Sequence, residues 1–281
     1  MGSVRGGVVV AAIAYATLAA WPARAQHGVE DLDTPFVITP SNVVDAMLDL
    51  AELAPGDRLI DLGSGDGRIV LAAAQRGATA VGIEIDANLV ERSRESARRL
   101  NLADRATFVT QDLFETDFRG YDVVTLYLLP DVNRRLAPKF LATLAPGTRI
   151  VSHDYGLGDW PPDRTIVVDA PDKPVNVEKK STLHFWRVPA HVEGRWQGRV
   201  GNRVVTLNVS QRYQFVSGTL TLGGGSYRFT DRPMRGDQLS MTLESPGQPS
   251  LEVVLQVSSD ALRGMAQLGS AAPIPLSMRK R

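Results

Sequence analysis

The chain has 281 residues, 43% of them hydrophobic and 22% charged, a globular composition long enough for two domains of ordinary size. Thirty-one Lys and Arg balance thirty-one Asp and Glu, so bulk charge gives no footprint for nucleic acid or an anionic membrane. Cysteine is absent, which excludes a disulfide scaffold, a thiolate nucleophile and a Cys-ligated metal.

Residues 1–25 read as a signal peptide. Arg5 gives a positive start, residues 8–21 form a short apolar run, and Ala23-Arg24-Ala25 fits the Ala-x-Ala cleavage pattern, with Gln26 as the expected mature N-terminus. The apolar run falls short of the roughly 20 residues of a spanning helix, so no stable transmembrane span is expected after cleavage. The expected location is periplasmic or secreted. A misassigned start codon would instead leave the protein in the cytoplasm.

Residues 26–188 read as one domain. Phe36-Val37-Ile38-Thr39-Pro40 leads into a helix with Ser41 as its N-cap and Val43, Val44, Met47, Leu48 and Ala51 as its apolar stripe. Ala54-Pro55-Gly56 turns the chain into an apolar strand over 58–62. Three glycines follow at every second position, in Gly63-Ser64-Gly65-Asp66-Gly67, and Ile69, Val70, Ala73 and Ala74 then mark one face of a helix. A second strand over 78–83 ends in Glu84. Asp86 caps a helix over 87–100, whose outer face carries Glu91, Arg92, Arg94, Glu95, Arg98 and Arg99 as a solvated surface with i,i+4 pairing. Strands over 107–110 and 122–127 follow, then a helix over 131–144 that Pro138 is expected to interrupt or kink. A fifth strand covers 148–153. Strands alternating with helices at this spacing imply a parallel sheet with helices on both faces. Residues 164–169 and 181–188, joined by a Pro-rich, Lys-containing loop, fit an antiparallel hairpin on its edge.

The pattern changes from Pro189. Short β-rich runs over 194–198, 204–209, 213–222, 226–229, 238–243, 251–257 and 262–268 are split by turn residues, so residues 189–281 read as a small antiparallel β domain, a barrel or a sandwich.

In a doubly wound sheet, ligands sit outside the carboxyl ends of the strands. Asp61, Gly63, Gly65 and Gly67 follow the first strand. Glu84 follows the second, at a spacing that suits a carboxylate accepting both hydroxyls of a ribose. Asp112, flanked by Gln111 and Leu113, follows the third, and Tyr127-Leu128-Leu129-Pro130 the fourth. Glycines let a backbone approach a ligand closely. Their Gly-x-Gly-x-Gly spacing departs from the Gly-x-Gly-x-x-Gly that sets a pyrophosphate on a helix N-terminus, which argues against a dinucleotide.

The segment from Asp61 to Gly67 resembles motif I of the class I S-adenosylmethionine-dependent methyltransferases. Residues 34–165 are similar, more narrowly, to the ATP-synthase c-subunit lysine N-methyltransferase family and its bacterial relatives. The likeness is carried by Thr34-Pro35-Phe36-Val37-Ile38-Thr39-Pro40, by residues 61–70 and by the Asp159-Trp160-Pro161 turn. It implies a Rossmann-like doubly wound sheet with S-adenosyl-L-methionine as cofactor. It implies that Asp112 accepts from the adenine amino group, that the Leu113 amide reaches a ring nitrogen, and that Phe36, Val37 and Thr39 fold over the methionine end. Ser64 and Ile85 complete the expected cofactor contacts. Tyr127 is expected to contact the cofactor and to act in catalysis as a wall or hydrogen-bond partner at the methyl acceptor, which the sequence leaves unknown and for which the resemblance suggests a protein lysine. His153, in His153-Asp154-Tyr155, is either a catalytic base or a satisfied strand-end histidine. Trp160 is assigned to packing, Trp196 and Tyr213 to the core of the β domain. No cluster has metal-ligand spacing. The rival to an enzyme is a module that binds S-adenosylmethionine without transferring its methyl group, with the β domain holding a ligand or partner.

Overall fold

A computed structural model describes residues 37–174 and 178–281. The expected signal peptide and Phe36 lie outside these described residues. Both sheets belong to one compact unit, Pro35–Arg281.

The first sheet is built from β1 (Arg58–Leu62), β2 (Thr79–Glu84), β3 (Ala106–Thr110), β4 (Val123–Leu126), β5 (Arg149–His153), β6 (Arg164–Asp169) and β7 (Lys180–Arg187). Its order is β3-β2-β1-β4-β5-β7-β6. The first five strands are parallel, and β7 runs antiparallel to β5 and β6, as the edge hairpin required. The central strands read as near-continuous apolar runs because both their faces are covered, β4 being buried at every residue. The helices α1 (Ser41–Leu50), α2 (Arg68–Gln75) and α3 (Ala87–Arg99) pack with one face of the sheet, and α4 (Pro130–Thr143) with the other.

Local details depart from the sequence expectations. Pro40, not Ser41, is the N-cap of α1, and no side chain caps it; the fixed φ of Pro40 (−57°) sets the entry instead. α4 runs through Pro138 as one helix, anchored by buried Val132, Leu136, Ala137 and Phe140. On α3 the ion pairs fall at i,i+3 and i,i+7, Arg94 and Arg98 both reaching Glu91, while Arg94 also donates to the Phe108 carbonyl of β3.

The second sheet has eight antiparallel strands: β8 (Gly194–Val200), β9 (Arg203–Arg212), β10 (Phe215–Leu222), β11 (Gly225–Pro233), β12 (Gln238–Leu243), β13 (Leu251–Val257), β14 (Ala261–Leu268) and β15 (Ile274–Lys280). The last had no counterpart among the sequence-derived runs. The order β11-β10-β9-β8-β15-β14-β13-β12 makes the edge strands β11 and β12 consecutive in the chain. One sheet therefore curls back on itself as a nearly closed barrel, not two stacked sheets. Strict alternation, as in β13 (buried-exposed throughout), sends one face inward around Trp196, Leu220 and Tyr227.

The barrel is fixed to the first sheet. The Ala190 amide donates to the Gly236 carbonyl at 2.8 Å, and Gly236 abuts Gly147, just ahead of β5. Gln214, in the β9–β10 turn, accepts from the Trp160 indole at 3.0 Å and donates to the Pro161 carbonyl at 2.8 Å. Tyr213 stacks on Trp160, with ring centroids 6.2 Å apart, so it belongs to this junction and not to the barrel core. Trp160 itself is buried packing, as expected. Ala190, Gly236 and Gly147 meet at the amino end of β5; the candidate functional residues follow the carboxyl ends.

Candidate active site

The turn after β1 is held by the neighbouring strand. The amides of Gly63 and Ser64 both donate to the Ile83 carbonyl, at 2.9 and 3.0 Å, and Gly67 closes the turn onto the Ser64 carbonyl at 2.9 Å. Gly63, Gly65 and Gly67 all have positive φ (72°, 53° and 79°), the left-handed region where a side chain is strained. Space is also short: a Cβ on Gly63 would meet Leu128, and one on Gly67 the Phe108 ring. Ser64 points its hydroxyl beneath the turn, where a Cβ on Gly82 would meet it at 2.6 Å. That hydroxyl is buried with no hydrogen-bond partner. Gly82, a glycine inside an apolar strand, is thus part of the site; such a residue signals close backbone approach, and the sequence reading passed over it.

Glu84 ties the turn to the end of β2. Its Oε2 accepts from the Gly65 amide at 2.9 Å, and its Oε1 from the amides of Ile85 and Asp86 at 2.8 and 3.0 Å. The Gln111 amide donates to the Glu84 carbonyl at 3.0 Å, which brings Asp112 and Leu113 alongside. Asp112 Oδ1 accepts from the Phe114 amide at 2.8 Å and caps a single 3-10 turn. Ile85 is 73% exposed beside these acids, an apolar surface at the rim.

Asp61 lies beneath the turn, 2% exposed, accepting from the Thr125 hydroxyl at 2.7 Å. Burial is the main reason its pKa rises to about 7; the negative charges of Glu84 and Asp66 add to the rise, and the Thr125 bond opposes it. Asp66 forms a bidentate pair with Arg68, whose other nitrogen donates to the Thr39 carbonyl at 2.7 Å. The segment of Val37 and Thr39 is thereby clamped beside the glycine turn.

A second polar group follows β4 and β5. The Tyr127 hydroxyl donates to Asp154 Oδ2 at 3.1 Å, and the Tyr127 ring lies on the His153 ring with centroids 3.9 Å apart. His153 is fully buried, Nδ1 facing the Thr39 hydroxyl at 3.3 Å and Nε2 the Ser181 hydroxyl at 2.8 Å. Burial drives its pKa down to about 4, with Lys173 adding to the fall and Asp154 opposing it. The ring is neutral at pH 7 with both nitrogens engaged. Burial and the Asp154 charge raise the Tyr127 pKa far above its usual value, so Tyr127 is a phenol that donates. Burial disfavours the Asp154 carboxylate, but bonds from Lys173 and Thr182 outweigh it and hold the pKa below the usual range. Asp154 sits at φ +63°, in a tight turn closed by the Tyr155 amide on the His153 carbonyl at 2.8 Å. Non-glycine residues held there are uncommon, and such strain gathers at functional sites.

All the described candidates except the β-domain aromatics thus lie at the carboxyl ends of β1 to β5. Arg68, Thr125, Ser181 and Lys173 join them, none of which the sequence reading singled out. The residues fit S-adenosylmethionine. Glu84, joined by Asp61 once it ionises, offers negative charge at the turn, which suits a sulfonium and an ammonium group. Arg68, the cation that the turn itself leads into, is already engaged with Asp66 and Thr39, so it is not offered to a pyrophosphate. Among the described residues no group of three or more His, Asp or Glu is placed to hold a metal ion.

Comparison with known proteins agrees with this geometry. Residues 61–164 match the family described as the ANTKMT methyltransferase domain. A protein-lysine N-methyltransferase of Saccharolobus islandicus is 39% identical over 48% of this chain and 85% of its own length. The human ATP-synthase c-subunit lysine N-methyltransferase is 34% identical over 56% of this chain and 65% of its own. A crystal structure described as an RNA methyltransferase from Salinibacter ruber in complex with S-adenosyl-L-homocysteine is 47% identical, covers 56% of this chain and 96% of that chain, and superposes with a TM-score of 0.50.

Proposed function

Since the chain belongs to the ANTKMT methyltransferase family and takes S-adenosylmethionine as its methyl donor, we propose that it methylates the side-chain amine of a lysine in a protein. Two of the relatives named above act, by their names, on protein lysine. The observation that carries the reading is the corner made by Tyr127 and Asp154 at the ends of β4 and β5, a phenol and a carboxylate 3.1 Å apart.

When bound, S-adenosylmethionine supplies an electrophilic methyl group on a sulfonium. The chain has to hold an amine in line with it, and positioning can supply much of the rate. Asp154 offers the carboxylate that recognises the amine as an ammonium ion. Loss of the proton is the harder task, because a free lysine amine has a pKa of about 10.4; the proton passes to solvent as the amine enters, and the buried His153 ring and half-buried Tyr127 ring then favour the neutral amine. Neutral His153 serves as a wall that fixes the Tyr127 ring, not as the base.

A lysate lacking the protein, incubated with purified enzyme and labelled S-adenosylmethionine, is expected to carry label as methyllysine in its protein fraction. Label confined to RNA, in keeping with the Salinibacter ruber structure, would overturn the lysine acceptor. Tight binding with no label in any fraction would leave a binding module.

Export is a separate proposal, supported by the n-region, apolar run and Ala-x-Ala site of residues 1–25. Mass spectrometry of protein from the native host is expected to find Gln26 as the N-terminus; an intact Met1 would refute it.

A further inference from the structure

Lys173 is the least expected member of the site. It sits in the connection between β6 and β7, yet its side chain is only 1% exposed. Lysine is almost never fully buried unless it is paired. Here Nζ donates to Asp154 Oδ2 at 2.5 Å and to the Lys180 carbonyl at 2.9 Å. The Tyr127 hydroxyl shares the same Asp154 oxygen. A carboxylate and a carbonyl hold Nζ, with the Tyr127 phenol on the same carboxylate oxygen, and together they form a seat for a primary ammonium.

The seat is next to the cofactor turn. Tyr127 is followed by Leu128, which lies against Gly63, and Thr39 links His153 to Arg68 and Asp66 of the glycine segment. Asp154 is aimed by the backbone at φ +63° and by the Thr182 amide, which donates to its other oxygen at 3.1 Å.

The geometry points to Tyr127, Asp154 and the Lys180 carbonyl as the docking seat of the acceptor amine, with Lys173 as a built-in occupant that the acceptor must displace. This rests on the lysine-acceptor reading above. It makes Lys173 a residue that sets how well an acceptor binds, not a catalytic one. The competing account is a buried ion pair that merely fastens the β6–β7 connection. The two accounts predict opposite results. Removing one partner of a structural pair strands a buried charge and weakens the fold, with no gain for any added amine. Removing the occupant of a seat opens it.

The test titrates Nα-acetyl-lysine methylamide into protein saturated with S-adenosyl-L-homocysteine, followed by calorimetry. Lys173→Ser and Lys173→Ala, which remove both the charge and the bulk that fill the seat, are expected to bind the probe at least about tenfold more tightly than the unaltered chain. Asp154→Asn added to Lys173→Ala is expected to abolish that gain. Retained affinity for the homocysteine product reports that each variant is folded. Should both neutral variants fail to fold, Lys173→Arg keeps the pair and, by its bidentate grip on Asp154, is expected to bind the probe several-fold less tightly than the unaltered chain. Equal probe affinity in the unaltered chain and the folded variants would overturn the seat. If methyllysine forms in the lysate and probe affinity does not change, the seat alone fails. If the probe binds Lys173→Ala tightly and no label reaches lysine, the acceptor reading alone fails.

Discussion

Replacing Glu84 with alanine is expected to weaken S-adenosylmethionine binding by more than about tenfold while leaving the protein folded. Glu84 does two jobs at once. Its carboxylate accepts from the amides of Gly65, Ile85 and Asp86, and so fixes the glycine turn against the end of β2. We further propose that it accepts from the ribose hydroxyls of the cofactor. A hydrogen bond to a charged group contributes about 1.5–3 kcal/mol, and a tenfold change in affinity needs only about 1.4 kcal/mol. Losing either hydroxyl contact alone therefore exceeds the threshold. Stability should fall by about 1–3 kcal/mol, because the buried Gly65 amide loses its acceptor, whereas Ile85 and Asp86 are exposed and their freed amides can turn to water. Glu84→Gln separates the two jobs. It keeps the shape and an acceptor oxygen, but its amide nitrogen cannot accept from a backbone amide or a hydroxyl, so an intermediate loss is expected. Calorimetry with S-adenosyl-L-homocysteine measures both; unchanged affinity in Glu84→Ala would remove Glu84 from the site.

Glu84 was visible in the sequence because everything that marks it is local. A strand ends, an acid follows, and the glycine turn lies a fixed distance upstream in a βαβ unit whose handedness is set. The same holds for Asp61, the three glycines and Asp112, all placed by short-range pattern at adjacent strand ends. What stayed hidden depends on partners far along the chain. Lys173 reads as a surface lysine in a Pro-rich loop, and only the return of β7 alongside β5 carries it to Asp154. Tyr213 reads as barrel core, yet the β9–β10 turn projects it onto Trp160. Strand β15 was missed for a different reason: Pro275 argues against a central strand. The strand tolerates it because pairing with β8 begins only at Leu276, so at Pro275 the only neighbour is Met265 of β14.

Asp61→Asn is expected to change stability and cofactor affinity in opposite directions. Asp61 has a folded pKa of about 7 against an ordinary value of 3.8. Between those values the folded state keeps a proton that the unfolded chain has lost, so stability falls as pH rises. The proton-linked stability is fully present below pH about 4 and gone above pH about 7, a loss of roughly 4 kcal/mol in all. Asparagine has no charge to bury. Urea denaturation is therefore expected to show Asp61→Asn gaining on the unaltered protein by about 3 kcal/mol between pH 5 and pH 8. His153 acts the other way in the unaltered chain. With its folded pKa near 4 against 6.5, stability falls as pH drops below about 6.5. Both proteins share that contribution, so only their difference isolates Asp61. Affinity should show why the chain keeps a carboxylate it is costly to ionise. A cationic ligand over the glycine turn lowers the Asp61 pKa and is bound more tightly once the proton has gone. S-adenosylmethionine is thus expected to bind more tightly at pH 8 than at pH 6, and Asp61→Asn to bind weakly with no such dependence. A stability difference that does not vary with pH would mean that Asp61 is already ionised in the folded protein. The turn would then hold a settled negative charge, and a pH-independent affinity would have to follow.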